Sequence, residues 1–137
     1  MPSSTIIKIP SDEKAFEENC VPLFCGVLND PNVKLVGTRG KAQSGIDLTG
    51  RRDRDPTQLV GIQCKLITRG GKLTEEIVRA DFDKALQITP ALTEFIVATT
   101  ANDDLEYDRI ANTLSQEQAA LGRRIDVQVW GWDTLQP

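Results

Sequence analysis

Two polar side chains interrupt the most strand-like stretch of this 137-residue chain, residues 58–67. Residues i and i+2 of a strand share a face, so Gln63 and Lys65 are predicted to project together, while Ile62 and Cys64 point the other way into a core. Polar groups on a buried strand cost folding free energy unless they have partners. The stretch therefore predicts a central strand whose two polar side chains have a function.

An acidic residue, Asp47, lies between Ile46 and Leu48 on the preceding predicted strand, residues 45–49. If the two strands are neighbours, a carboxylate, a neutral amide oxygen and an amine converge at one place. This combination is typical of metal-dependent phosphodiester hydrolysis, in which a cation and an amine neutralise charge on the phosphate.

The order of predicted elements indicates an α/β fold. Apolar periodicity and turn signals predict helices over 11–28, 73–87 and 103–121, with strands over 33–37, 45–49, 58–67, 93–100 and 125–130. Pro22 is expected to kink or split the first helix. This order predicts a sandwich with a central mixed sheet of about five strands, flanked by helices on both faces.

Composition narrows the possible chemistry. The length predicts one domain over residues 1–137, and no apolar run or N-terminal signal predicts a membrane span or secretion. The three cysteines have no CxxC spacing, and we expect reduced thiols in the cytoplasm. The chain has no histidine, which excludes Ser-His-Asp and Cys-His nucleophiles. Oxygen ligands remain, and these suit Mg²⁺ or Mn²⁺.

Charge is unevenly distributed along the chain. Residues 34–72 contain nine basic and three acidic side chains, a net +6 in a chain of net −4, so the rest is −10. Because the basic segment also contains Asp47, Gln63 and Lys65, we expect it to attract phosphates, although these charges are also consistent with solvated loops.

Several motifs resemble the PD-(D/E)xK nuclease superfamily, and more narrowly the Mrr-like restriction endonucleases, in which glutamine often replaces the acid before the lysine. The resemblance spans nearly the whole chain and is carried by Phe16-Glu17, by residues 37–48 ending in Gly45-Ile46-Asp47-Leu48, by Gly61-Ile62-Gln63-Cys64-Lys65, by residues 97–100 and by Val129-Trp130-Gly131-Trp132-Asp133. The chain departs from the superfamily at Gln63, and at Gly45-Ile46, where the name motif has proline.

The resemblance implies a restriction-endonuclease-like fold and roles for individual residues. Glu17, Asp47, Gln63 and Lys65 would be catalytic, and Asp47, Gln63, Glu17 and the backbone carbonyl of Cys64 would hold Mg²⁺, for which Mn²⁺ substitutes. Predicted nucleic-acid contacts are Gln43, Arg39, Lys41, Arg51 and Arg52. Each has a simpler interpretation: a buried ion pair of Asp47 with Lys65, a strand amide bonded to backbone for Gln63, and solvated charges or a loop amide for the others.

The resemblance further implies a DNA endonuclease domain that acts as the effector of a bacterial anti-phage system. Such a domain would form a homo-oligomer and would be fused to regulatory domains, and the abrupt end at Pro137 fits a domain excised from a larger protein. Two alternatives remain open: an RNA nuclease or junction resolvase on the same fold, and a catalytically decayed domain that binds nucleic acid or oligomerises.

Overall fold

The computed structural model describes residues 12–37, 44–68 and 71–136. The elements are α1 (Glu13–Leu28), β1 (Lys34–Leu35), β2 (Leu48–Arg51), a 3-10 helix (Arg52–Arg54), β3 (Leu59–Lys65), α2 (Glu75–Ala85), β4 (Glu94–Thr99), α3 (Leu105–Ala120), β5 (Asp126–Trp130) and α4 (Trp132–Leu135). Within these ranges no helix is both long and apolar enough to cross a membrane.

The five strands form one sheet in the order β1-β2-β3-β4-β5. The first three are antiparallel neighbours, whereas β3, β4 and β5 run parallel, with α2 and α3 in the crossover connections. The predicted α/β class, with a central five-stranded mixed sheet flanked by helices, is therefore confirmed.

Two hydrophobic cores cover the two faces of the sheet. On one face Phe16, Cys20 and Phe24 of α1 pack against Val60, Ile62 and Cys64 of β3 and against Ile96 and Ala98 of β4. On the other face residues of α2 and α3 pack against Phe95 and Val97 of β4 and Val127 and Val129 of β5. Alternation along β3 thus directs Gln63 and Lys65 toward α2.

The first helix is not split at Pro22, because α1 runs through that residue from Glu13 to Leu28. Proline removes one hydrogen bond to the carbonyl of the residue four positions earlier, here Glu18. Both residues are exposed, so water can bind that carbonyl in place of the missing amide. The helix begins at the Asp12 cap, whose carboxylate accepts a hydrogen bond from the Ala15 amide at 2.7 Å, and it ends at Asn29 in a left-handed conformation.

Strand β2 begins later than the sequence predicts, at Leu48 instead of residue 45. Gly45 has a φ of +69°, a left-handed conformation that ends any extended run. A Cβ atom built at this position would clash with the backbone carbonyl oxygen of Asp81 on α2. Gly45 therefore allows the segment before β2 to lie directly against α2.

We expect Gly45→Ala to lower the free energy of unfolding by about 2–4 kcal/mol, because a left-handed alanine is strained and its methyl group clashes with backbone. Gly122→Ala is the matched control. Gly122 has a φ of +79° with open space around its Cβ position, so only the strain of about 1–2 kcal/mol applies. Urea unfolding of both variants measures the difference, and equal losses would contradict the packing argument.

Candidate active site

The site predicted from sequence lies where β2 and β3 diverge. The backbone of Asp47 still follows the sheet, because its amide donates to the Ile62 carbonyl at 2.7 Å and its carbonyl accepts from the Val36 amide at 2.8 Å. Its neighbours Ile46 and Leu48 pack in different cores, so the chain turns between the two faces of the sheet at Asp47. The pairing of β2 with β3 ends at Leu48 and Ile62, so the last three residues of β3 have no partner in β2.

The carboxylate of Asp47 takes the place of the missing strand neighbour. Its Oδ2 accepts a hydrogen bond from the backbone amide of Cys64 at 2.8 Å, and the residue is only 7% exposed. The N–H and C=O of one strand residue point to the same side, so the Cys64 carbonyl also faces the gap beside Asp47. The Asp47 carboxylate and the Cys64 carbonyl oxygen therefore lie along the same edge of β3, at the end of the strand that carries Gln63 and Lys65.

Lys65 pairs with Asp81, an acid that the sequence places on the helix after β3, where it could face the site, but that was not among the predicted catalytic or metal-binding residues. Its Nζ lies 2.8 Å from Oδ2 of Asp81 on α2, an ion-pair contact. The described ion-pair contact of Lys65 is therefore with Asp81, whereas the simpler interpretation of the sequence had paired it with Asp47. Asp81 precedes the apolar Phe82 on an amphipathic helix, and in the sequence this position resembles many solvated helix carboxylates.

Glu17 approaches the same end of β3 from the opposite face. It lies on α1 between the core residues Phe16 and Cys20, and at 6% exposure it is not the solvated carboxylate of the simpler interpretation. The carboxylates of Glu17 and Asp47 both act electrostatically on the Cys64 thiol and help to raise its pKa, so each acid lies within electrostatic range of Cys64.

The Cys64 side chain points into the α1 core, away from Gln63 and Lys65. Its hydrogen bond with Cys20, and after that its burial, raises the pKa of the Cys64 thiol far above its ordinary value, and the nearby carboxylates add to this shift. Cys64 therefore stays a neutral thiol at physiological pH, and only its backbone is available to the candidate site.

Selective alkylation tests this description of the thiols. At pH 7.5 in the native protein we expect iodoacetamide to modify Cys25, which is partly exposed, and to leave Cys20 and Cys64 unmodified until denaturant is added. Peptide mass spectrometry measures each site. Native labelling of Cys64 as fast as that of Cys25 would show that the thiol is not held in the core.

The oxygen donors around Asp47 suit a hard cation. Within residues 12–37, 44–68 and 71–136, no three His, Cys, Asp or Glu side chains are arranged to hold a metal ion. A site for Mg²⁺ would therefore combine Asp47 with the neutral oxygens of Gln63 and Cys64 and with water, while Glu17 would act from the α1 side. This donor set fits Mg²⁺, which commonly uses one or two carboxylates and keeps several of its waters.

Two of the predicted nucleic-acid contacts lie away from this site. Arg51 is the last residue of β2 and pairs with Leu59, at the opposite end of β3 from Lys65, and Arg52 follows it. Six residue steps of about 3.3 Å separate the two ends by roughly 20 Å. Any phosphate contact of Arg51 or Arg52 would therefore involve a different phosphate from the one beside Lys65. Arg39, Lys41 and Gln43 lie outside the described residues.

Both arginines also make contacts within the protein. Arg52 forms a two-pronged pair with Glu94 at 2.6 and 2.9 Å, which raises the pKa of Arg52, and Arg51 donates to the Pro56 carbonyl at 2.6 Å. Glu94 is 7% exposed, so the Arg52 pair neutralises a carboxylate at the start of β4 that would otherwise be costly to bury. Nucleic-acid binding by these residues stays a prediction.

A groove lies beside the candidate site, at the carboxyl ends of β3 and β4. It begins at Leu66, directly after Lys65, and continues between the N-terminal turns of α2 and α3. Its charged lining residues are mainly acidic: Glu75, Glu76, Asp103, Asp104 and Glu106, with Lys72 and Arg109 as the cations. Two of these acids, Glu75 and Glu106, are paired with Arg109, and the lining as a whole carries a net negative charge.

Comparisons with protein-family models, with curated proteins and with solved structures find no significant match to this chain.

Proposed function

We propose that this chain is a Mg²⁺-dependent endonuclease domain that hydrolyses phosphodiester bonds in DNA, with Mn²⁺ able to replace Mg²⁺. The observation that carries the proposal is the Asp47–Cys64 contact. It holds a buried carboxylate at the end of β3 from which Gln63 and Lys65 project. The resemblance of the surrounding motifs to Mrr-like nucleases supports the same activity.

Each residue has a chemical task in this proposal. A bound Mg²⁺ would neutralise phosphate charge and supply an activated water. Asp47, Gln63 and the Cys64 carbonyl would hold the ion, and Glu17 would hold a water of its shell. The Lys65 ammonium donates hydrogen bonds to the phosphate oxygens as charge develops on them, which lowers the barrier.

The resemblance extends the proposal to the biological setting, a cytoplasmic effector of bacterial anti-phage defence that acts as a homo-oligomer joined to regulatory domains. Cutting both strands of a duplex requires two active sites, and this favours a dimer or a larger assembly. Analytical ultracentrifugation with and without a DNA duplex tests the assembly, and a monomer under both conditions would count against it.

Two substitutions test the activity. Asp47→Asn keeps an oxygen that can accept from the Cys64 amide but removes the charge, and Lys65→Ala removes the ammonium. We expect each to lower metal-dependent plasmid cleavage at least about 100-fold, because each removes charge stabilisation that the reaction needs. Arg123→Ala, which removes an exposed charge near the far end of the sheet, is expected to leave cleavage unchanged.

The same assay separates the alternatives, with thermal unfolding as the check that every variant is folded. Cleavage of RNA in preference to DNA would identify an RNA nuclease on this fold. DNA binding without cleavage by the wild type, at any Mg²⁺ or Mn²⁺ concentration and in the assembled state, would identify a binding domain. The finding that the described residues contain no three-carboxylate cluster is the observation that favours this last alternative.

A further inference from the structure

We propose that Asp81 is a positioning residue that holds the Lys65 ammonium in place for the reaction. This inference rests on the proposed function. Its starting point is the 2.8 Å contact between Lys65 Nζ and Asp81 Oδ2, which joins the end of β3 to the middle of α2.

The environment of Asp81 makes this contact persistent. The residue is 8% exposed, and its Oδ2 atom is shielded from solvent. A carboxylate oxygen without water around it is costly unless a cation or a donor lies beside it, and Lys65 is the cation in contact with it. The pair therefore remains formed in the folded protein.

The environment of Lys65 leaves it able to act. Its side chain is 25% exposed, about twice the 12% of the Asp81 side chain, so the ammonium lies at the border of the buried region. An ammonium group has three hydrogen-bond donors, and contact with one carboxylate oxygen leaves others for a phosphate. The geometry thus favours a lysine whose ammonium is held in place and can still contact substrate, over a lysine that the ion pair keeps away from substrate.

The backbone around Asp81 keeps this restraint rigid. Gly45 packs against the Asp81 carbonyl oxygen, and Phe82, the next residue, is buried and packs in a tilted arrangement against Phe95 of β4 with ring centroids 5.4 Å apart. Asp81 is therefore carried by a helix turn that is fixed to the segment leading into Asp47 and to the sheet. A flexible four-carbon side chain is otherwise free to adopt many conformations, and its restraint lowers the entropy cost of reaching the transition state.

The test compares Asp81→Asn with Asp81→Glu and with the control Asp83→Asn, an exposed acid two residues further along the same helix. We expect Asp81→Asn to lower kcat of DNA cleavage about tenfold with little change in KM, because an unrestrained lysine has to be ordered in each turnover. Asp81→Glu is expected to recover part of the loss, and Asp83→Asn to behave as wild type. An increase in kcat on Asp81→Asn would overturn the proposal, since it would mean that the pair withholds Lys65.

A second measurement does not depend on catalysis. Ammonium protons held beside a carboxylate exchange slowly enough with water to give a ¹H–¹⁵N NMR signal at low temperature, and the Lys65 signal is identified by its loss in Lys65→Arg. We expect the signal in wild type and Asp83→Asn and its loss in Asp81→Asn. Persistence of the signal in Asp81→Asn would overturn the positioning role whether or not the protein cleaves DNA. If the wild type gives the signal, Asp81→Asn loses it and the wild type never cleaves DNA, the ion pair is supported and the proposed nuclease activity is contradicted.

Discussion

The hydrogen bond from the Cys64 amide to the Asp47 carboxylate is the interaction on which the arrangement of the candidate site depends. Strand β3 lies between β2 and β4, and its backbone amides need acceptors on both sides along its whole length. Because β2 diverges at Asp47, a side-chain oxygen takes over where the backbone ladder ends. The same interaction gives the Cys64 amide its hydrogen-bond acceptor and places an acid beside the polar end of β3.

The polar end of β3 has a buried acid on each face of the sheet. Toward α2, the Lys65 charge is balanced by Asp81, and toward α1, Glu17 lies among core residues near the Cys64 thiol. A charge in such surroundings is retained only with a partner at short range. This dense packing explains why a glycine is required at position 45, where α2 and the approach to β2 come into backbone contact.

Charge is arranged differently in space than along the chain. The basic segment contains the candidate site in sequence, yet the hairpin between β2 and β3 carries Arg51 and Arg52 to the far end of the sheet. There Arg52 is paired with the buried Glu94, and the groove beside Lys65 is lined mainly by acids. The positive net charge of residues 34–72 therefore does not describe the surroundings of Lys65.

Local patterns in the sequence determined the order of elements and the α/β class, because apolar periodicity and turn residues reflect short-range geometry that the chain carries at every position. They also determined that Gln63 and Lys65 share a face of β3, since alternation is a property of any strand. Only the tertiary structure decided that Lys65 pairs with Asp81, that Glu17 is buried, and that Arg51 and Arg52 lie far from the site. These outcomes depend on which surfaces pack together across distances of 16 to 42 residues along the chain, as in the Lys65–Asp81 and Arg52–Glu94 pairs. Such contacts form because they neutralise charges that are buried in the folded protein, and no local sequence pattern predicts them.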